Sequence, residues 1–353
     1  MSILKDGNVL IRLEVTNHCN LKCPHCARIP LKNNYKLNSN YLSLKEIKRW
    51  LPIIFLDEYS PKFLFSGLVG EPTINPEFLY IIEYLSKYSS VRIDSNGSTN
   101  DETWWKSLGE YKVQCTFSPD SLVSKNNQYR INSNTEKVIS NMKAFISSGG
   151  SAIWKYIPFK HNEDELEEQK KYAKKLGANF VMVQPGRFNE DKINPEVKSS
   201  KYFPSSKKKV KPSYVENQSP IHYCKLFDNV DRIIEIGPDG VIYPCAFTGR
   251  YFFITYSDYF TNKNPIPKIY EEMLSDLSYK SFVNDIIPLI ENQGGVQTFS
   301  LYHNTFEEIL ETDFFKFSLQ KSWEIGNEYC SKYCSARDYV FSRKNIIINT
   351  DRT

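Results

Sequence analysis

The sequence contains no run of about 18 apolar residues, the length that a helix needs to cross the hydrocarbon core of a bilayer. Its first residues, Met-Ser-Ile-Leu-Lys-Asp-Gly, lack the apolar stretch of a secretory signal peptide. We therefore expect a cytoplasmic protein with no membrane partner. A large charge excess is missing as well. The formal net charge is +4 in 353 residues, which argues against nucleic acid as an obligatory partner.

Apolar residues make up 41% of the chain and charged residues 24%, which is typical of a globular protein. The length predicts one large domain and a smaller one. The chain has eight cysteines, and in a reducing cytoplasm clustered cysteines indicate metal ligation rather than disulfides. Cys115 stands alone in an apolar segment, so we interpret it as a small buried hydrophobe.

Three cysteines follow an apolar segment near the amino end, with the spacing C-x3-C-x2-C: Cys19, Cys23 and Cys26. A 4Fe-4S cluster has four irons, so three thiolates leave one iron open to bind a small molecule through oxygen and nitrogen. Zinc is the alternative, because His18 or His25 could complete a four-ligand site. A non-catalytic zinc or iron-sulfur binding module is therefore the rival hypothesis.

This motif resembles the cluster loop of the radical S-adenosylmethionine (radical SAM) enzymes, including His25 in the aromatic position before the third cysteine. In that family the open iron chelates S-adenosylmethionine (SAM). An electron from the cluster then cleaves SAM to methionine and a 5′-deoxyadenosyl radical, which abstracts a substrate hydrogen. The resemblance implies a radical SAM oxidoreductase in which Cys19, Cys23 and Cys26 are catalytic and hold the 4Fe-4S cluster. It also implies a reductant such as flavodoxin or ferredoxin.

Two further segments resemble cofactor-binding elements of the same family. Gly67-Leu-Val-Gly70-Glu71-Pro72 is similar to the GGEP element that follows the second strand, although the first glycine is displaced. In the family, the backbone of this element receives the amino group of the methionine moiety. Ser95-Asn96-Gly97 resembles the T-N-G element after the third strand, which makes Asn96 a predicted cofactor contact. An ordinary Asn-Gly turn is the alternative for that segment.

The resemblance extends to Ser118, Asp120 and Arg130. A polar residue after the fourth strand contacts the ribose in the family, so Ser118 and Asp120 are predicted contacts. Many relatives have Asp-Gly here, whereas this chain has Asp120-Ser121. Arg130 stands where relatives carry an arginine, and its guanidinium suits bidentate pairing with a carboxylate. A solvated surface arginine is the alternative.

Short apolar segments alternate about six times with segments of helical periodicity. The strands are predicted at 9–15, 62–66, 91–94, 113–118, 152–159 and 179–184. One helix is predicted to begin at the capping box of Ser43 and Glu46 and to continue through Ile54. This order predicts an α/β fold, a partial (β/α)6 TIM-like barrel with ligands at the carboxyl ends of its strands.

The helical and strand periodicity stops near residue 186, where Asn, Ser, Lys and Pro become frequent. We predict a barrel domain over 1–187, a linker over 188–220 and a small α+β domain over 221–353. The last domain includes a hairpin formed by residues 233–236 and 241–243.

Four cysteines lie beyond the predicted linker: Cys224, Cys245, Cys330 and Cys334. The run Cys224-x15-Gly240-x4-Cys245 resembles the opening of the SPASM or twitch extension behind many radical SAM barrels. A full SPASM extension has seven cysteines. Four cysteines therefore imply the twitch-like form with one auxiliary 4Fe-4S cluster. Structural zinc is the alternative for this group.

The resemblance leaves the substrate open. Relatives with auxiliary clusters often modify peptides or proteins, which is the first expectation. The barrel begins near Met1, so we expect no N-terminal peptide-recognition domain. A dehydrogenase or isomerase that acts on a small molecule or nucleotide is therefore the alternative.

Overall fold

One eight-stranded sheet organises the part of the chain that the computed structural model describes. These residues are 4, 9–26, 28, 41–67, 70–122, 126–183, 201–202, 232–243 and 288–318. The strands are β1 (Val9–Leu13), β2 (Lys62–Phe65), β3 (Val91–Ser95), β4 (Gln114–Phe117), β5 (Ser151–Tyr156), β6 (Asn179–Met182), β7 (Arg232–Ile236) and β8 (Ile242–Tyr243). Their order in the sheet is β6-β5-β4-β3-β2-β1-β7-β8.

The first six strands lie side by side in sequence order, and every neighbouring pair among them is parallel. Parallel neighbours need crossover connections, and helices between the strands supply them. The predicted α/β fold with a parallel barrel-type sheet is therefore confirmed. All six predicted strands are present, with ends that differ by a few residues.

The helices are α1 (Leu44–Trp50), α2 (Ile53–Tyr59), α3 (Phe78–Ser86), α4 (Glu102–Glu110), α5 (Thr135–Ser147), α6 (Leu166–Leu176) and α7 (Phe306–Leu310). The predicted capping box is present at α1, where Ser43 and Glu46 bond each other's backbone N–H groups. Asp101 caps α4 and Asn134 caps α5 through their side-chain oxygens. Within the described residues, no helix combines the length and apolarity needed to cross a membrane.

The prediction of one helix continuing through Ile54 is wrong, because the chain breaks between α1 and α2. Leu51 has φ −127° and ψ 67°, and Pro52 caps the next helix. The proline ring disfavours helical backbone at the residue before it, which ends α1. Ile54 then turns outward and is 78% exposed.

The apolar face of the sheet packs against the helices. Alternate strand residues point to the same side of a sheet, and those on this side are almost all aliphatic or aromatic. They include Ile11, Phe63, Phe65, Ile93, Phe117, Trp154 and Tyr156, all in the buried core. Cys115 belongs to this face and is fully buried, as predicted for a small hydrophobe.

The opposite side, which we call the polar face, carries side chains of a different kind. Its polar members include Arg12, Glu14, Ser66, Asp94, Thr116, Lys155 and Glu235. The strand register places Arg12 beside Glu235, and Asp94 beside Thr116. Leu64 and Ile233 on this face are buried but do not belong to the helix-packed core. The two faces of the sheet are therefore chemically distinct.

The predicted hairpin forms, with β7 antiparallel to β8, and it joins the main sheet. β7 pairs in parallel with β1 over five residue positions, from Val9 beside Arg232 to Leu13 beside Ile236. The backbone N–H of Glu14 donates to the carbonyl of Ile236 at 3.0 Å. The structure thus adds β7 next to the first barrel strand. The predicted domain boundaries at 187/188 and 220/221 stay a prediction.

Glu235 gives a prediction for the dependence of stability on pH. Burial raises its pKa from 4.5 to about 7; Arg12 opposes this shift and Glu14 adds to it. Between these two pKa values the folded protein holds a proton that the unfolded chain releases, so the free energy of unfolding falls as pH rises. The fall attributable to Glu235 amounts to at most about 3 kcal/mol.

Urea unfolding at pH 5 and pH 8 measures this effect when wild type and Glu235→Gln are compared. Asp239 has a pKa raised to about 7 as well, mainly by burial, so wild type alone does not isolate Glu235. The difference between the two proteins does. Equal pH dependence in both proteins would contradict the prediction.

Candidate functional site

The three cysteines lie on the loop that follows β1, at the carboxyl ends of the parallel strands. Cys19, Cys23 and Cys26 are free thiols of intermediate exposure. The loop turns back on itself, because the backbone N–H of Cys26 donates to the carbonyl of Cys23 at 3.2 Å. Lys22 N–H donates to the carbonyl of Ile131 at 3.1 Å, which ties the loop to the segment before α5.

Burial keeps two of these thiols, Cys19 and Cys23, neutral in the protein alone. Burial raises the pKa of Cys19 to about 11, and Glu71 adds to that shift. Burial also raises the pKa of Cys23 to about 12, while the nearby charge of Arg130 opposes the rise. Thiolates in such surroundings need a bound cation to compensate their charge, and metal binding releases the thiol protons.

The donor set fits an iron-sulfur cluster. Three thiols share one loop, and the pKa of Cys23 responds to both Cys19 and Cys26, so the three groups are close neighbours. Sulfur ligands of this kind are the ones that iron-sulfur clusters use. Across the described residues, no three cysteine, histidine or carboxylate side chains are arranged to hold a single metal ion.

A chain of polar side chains joins the cysteine loop to the loop after β3. Asn96 Nδ2 donates to Asn20 Oδ1 at 2.9 Å and to Cys19 Sγ at 3.9 Å. Asn20 Nδ2 in turn donates to Ser98 Oγ at 2.9 Å. The structure thus brings the predicted residue Asn96 to the first cysteine. Sequence reasoning missed Asn20 and Ser98, although an amide between two cysteines of the loop was a usable signal.

The segment containing Gly70 and Glu71 packs directly on the cysteine loop. A Cβ atom at Gly70 would lie 2.3 Å from the carbonyl oxygen of Thr16 and 2.8 Å from that of His18. The N–H of Glu71 donates to the same His18 carbonyl at 2.6 Å. Gly67 has φ +61°, and a Cβ atom there would lie 3.1 Å from the carbonyl oxygen of Gly70. Glycine is required at position 70 because any side chain there would collide with the backbone of the cysteine loop.

The carboxylate of Glu71 is held by the protein itself. It accepts hydrogen bonds from Ser95 Oγ at 2.7 Å, the N–H of Asn96 at 2.8 Å and Thr73 Oγ1 at 2.7 Å. Burial nevertheless raises its pKa. The side chain therefore links the loops after β2 and β3, and we interpret Glu71 as a positioning residue for the cysteine loop.

Gly70→Ala is expected to lower the free energy of unfolding by about 1–3 kcal/mol, because the new methyl group displaces the cysteine-loop backbone. It should also reduce the iron content after reconstitution. Urea unfolding and iron analysis measure the two effects.

Gly177→Asn is the matched control. Gly177 has φ +80°, a conformation that asparagine tolerates. A Cβ atom added there would lie 3.9 Å from its nearest neighbour, Cγ2 of Ile146. The control should keep its iron content. Normal iron incorporation in Gly70→Ala would contradict the packing interpretation.

Asp120 and Arg130 form a buried ion pair beside the cysteine loop. Arg130 Nε donates to Asp120 Oδ2, and their side chains are 13% and 0% exposed. The carbonyl of Asp120 accepts hydrogen bonds from the side chains of Asn162 and Gln169, the latter at 3.1 Å. Ser118 is buried at the end of β4. Arg130 is thus not a solvated surface arginine. Sequence reasoning missed Asn162 and Gln169.

Stacked rings cover one side of the cysteine loop. His25 stacks on Tyr129 with ring centroids 6.4 Å apart, and Tyr129 stacks on Phe159 at 4.3 Å. Phe159 stacks in turn on His161 at 5.3 Å. The edge of Tyr202 contacts both His25 and Tyr129. These rings limit the access of water to the loop from that side.

The predicted site residues of the barrel lie on the four loops that follow β1, β2, β3 and β4. They are Cys19, Cys23, Cys26, Gly67, Gly70, Glu71, Asn96, Ser118, Asp120 and Arg130. Their roles as cluster ligands and cofactor contacts stay predictions. The four cysteines predicted for an auxiliary cluster, Cys224, Cys245, Cys330 and Cys334, lie outside the described residues.

The parallel barrel-type sheet, with three free thiols on the loop after its first strand, places the described part of the chain among α/β proteins of the barrel type. Residues 13–176 match the family model of the Radical SAM superfamily. This segment of the chain is a radical SAM domain.

Curated relatives match over part of their length. GTP 3′,8-cyclase of Vibrio vulnificus (strain YJ016) is 32% identical over 116 residues, which are 32% of this chain and 34% of that protein. Cysteine-type anaerobic sulfatase-maturating enzyme of Clostridium novyi (strain NT) is 27% identical over 196 residues, 52% of each chain. The chain therefore spans between about a third and a half of these relatives.

Among solved structures, a hexahistidine-tagged anSMEcpe with bound AdoMet is similar, with a TM-score of 0.50 and 15% sequence identity. The superposition covers 88% of this chain and 79% of that one. At this identity the similarity concerns the fold, and it agrees with the parallel sheet described above.

Proposed function

We propose that this chain is a radical SAM oxidoreductase that cleaves SAM reductively and abstracts a hydrogen atom from a peptide or protein substrate. The observation that supports this most directly is the set of three free thiols on the loop after β1, within the radical SAM domain. In this proposal Cys19, Cys23 and Cys26 hold a 4Fe-4S cluster. When bound, that cluster supplies the electron that cleaves SAM to methionine and a 5′-deoxyadenosyl radical.

The surrounding residues position and shield this chemistry. Glu71 and Asn96 hold the cysteine loop against the ends of β2 and β3 through the hydrogen bonds described above. The segment that contains Gly67 and Gly70 is the proposed backbone contact for the methionine moiety of SAM, while Ser118, Asp120 and Arg130 are the proposed contacts for the rest of the cofactor. Exclusion of water by the aromatic stack protects a reactive radical from quenching.

A peptide is the preferred substrate class because the match to the sulfatase-maturating enzyme extends over 52% of this chain, compared with 32% for the cyclase. A small molecule or nucleotide is the second candidate, supported by the higher identity of the cyclase match.

The proposal includes one auxiliary 4Fe-4S cluster on Cys224, Cys245, Cys330 and Cys334, and a reductant such as flavodoxin or ferredoxin. Two 4Fe-4S clusters correspond to about eight irons per chain. Iron and zinc analysis of the reconstituted protein tests this part: about four irons indicate the first cluster alone. Two zincs and no iron would favour the non-catalytic module.

The reconstituted protein, reduced under anaerobic conditions, is expected to convert SAM to methionine and 5′-deoxyadenosine in equal amounts. Chromatography with mass detection measures both products, and omission of the reductant is the control. Deuterated candidate peptides then test the substrate class, because the true substrate passes its label to 5′-deoxyadenosine. Absence of 5′-deoxyadenosine from a protein with a full iron complement would refute the proposed function.

A further inference from the structure

Two carboxylates meet on the polar face at the end of the sheet where the cysteine loop lies. Glu235 is on β7 and sits beside Arg12 in the parallel register with β1. Glu14 continues β1 on the same side, and its N–H donates to the carbonyl of Ile236, the neighbour of Glu235. Both glutamates are buried, each 4% exposed. The chain thus places two acidic groups near each other at the end of the sheet from which the cysteine loop leaves.

Glu235 keeps an oxygen available for a ligand. No group in the described part of the chain donates a hydrogen bond to Glu235 Oε2, although that atom is buried. By contrast, Glu14 Oε1 accepts a hydrogen bond from Ser66 Oγ. A buried carboxylate oxygen without a donor is costly, so a ligand that supplies one is stabilised there.

The charges decide which ligand fits. When Glu235 is ionised, Glu14 and Glu235 bring two negative charges and Arg12 brings one positive charge, so these three residues together carry a net negative charge. Burial raises the pKa of Glu235 to about 7, and a cation bound beside it would favour the ionised form. A protonated amine supplies both a positive charge and hydrogen-bond donors, whereas an anionic group is disfavoured.

We propose that Glu14 and Glu235 form a binding site for a protonated primary amine, which a peptide substrate supplies as a lysine side chain. The site lies at the carboxyl ends of β1 and β7, where ligands bind in barrels of this kind. The inference deepens the proposed function and rests on it, since it names the substrate group that the polar face recognises. A small diamine carries the same chemistry and forms a separate arm of the test.

The experiment is isothermal titration of the reconstituted full chain without reductant, so that no turnover takes place. The probes are N-acetyl-Ala-Lys-Ala-amide, the same tripeptide with norleucine in place of lysine, and 1,4-diaminobutane. The wild type should bind the lysine peptide at least about ten-fold more tightly than the norleucine peptide. Glu235→Gln and Glu14→Gln should each reduce this ratio to about two-fold or less.

Glu110→Gln is the control, because Glu110 is exposed at the end of α4 on the opposite side of the sheet. It should keep the wild-type ratio. Tight binding of the diamine with weak binding of both peptides supports the amine site and assigns it to a small molecule. Equal binding of the two peptides with no diamine binding overturns the inference, as does an unchanged ratio in both glutamine variants.

The wild-type comparison of the probes needs no variant, so a variant that fails to fold does not prevent the test. The titration is also independent of SAM cleavage. A lysine preference without formation of 5′-deoxyadenosine would refute the proposed function alone. Cleavage of SAM without any preference for an amine would refute the amine site alone.

Discussion

Cys23→Ala is expected to abolish formation of 5′-deoxyadenosine by the reconstituted, reduced protein. Cys23 lies between the other two thiols in the sequence, and its pKa responds to both of them as well as to Arg130. The proposed cluster needs three thiolate ligands, and the variant supplies only two. The variant should therefore lose about four irons per chain. Iron analysis and chromatographic detection of 5′-deoxyadenosine measure the two losses.

Cys115→Ala is the matched control for this experiment. Cys115 is fully buried in β4 on the apolar face of the sheet. Its loss removes a small core group and should leave both iron content and cleavage of SAM intact. Cleavage at the wild-type rate by Cys23→Ala would defeat the assignment of the three cysteines.

Arg130→Met is expected to lower the free energy of unfolding by about 3–5 kcal/mol, because it leaves the buried carboxylate of Asp120 without its counter-ion. The Asp120 side chain is 0% exposed, so water cannot replace the guanidinium. Urea unfolding at neutral pH measures the change. A shift of the unfolding midpoint without a change in slope would show that stability alone has changed.

Lys87→Met is the control for removal of one basic partner from an ion pair. Lys87 and Glu83 form a pair at 2.9 Å on the surface of α3, where both side chains are exposed. Such pairs contribute little because water screens them. The double variant Arg130→Met with Asp120→Asn should recover part of the lost stability, since it removes the uncompensated charge. An Arg130→Met variant as stable as the control would show that the pair does not hold this region together.

The order of strands and helices was predictable because it depends on local patterns. Short apolar segments, helical spacing of hydrophobic residues and the capping box at Ser43 act over a few residues, and all of them appear in the structure. The break at Pro52 also has a local cause, because proline disfavours helical backbone at the residue before it, although the apolar spacing on both sides favours one continuous helix.

Contacts between distant loops were not predictable in the same way. The hydrogen bond from Asn96 to Asn20 joins residues 76 positions apart, and that from Ser66 to Glu14 spans 52. Neither pair has a spacing that a sequence pattern would reveal. The resemblance to a family element singles out Glu71 in the sequence. Only the fold shows that its carboxylate links the loops after β2 and β3.

The amino-acid order sufficed for the alternation of strands and helices, the three-cysteine loop and the glycines beside it, because these follow from neighbouring residues and from spacing along the chain. Folding was needed to place β7 against β1, and with it Glu235 beside Arg12 and Glu14. That neighbourhood depends on which strand edges pair in space, where hydrogen bonding and burial act between residues that are more than two hundred positions apart.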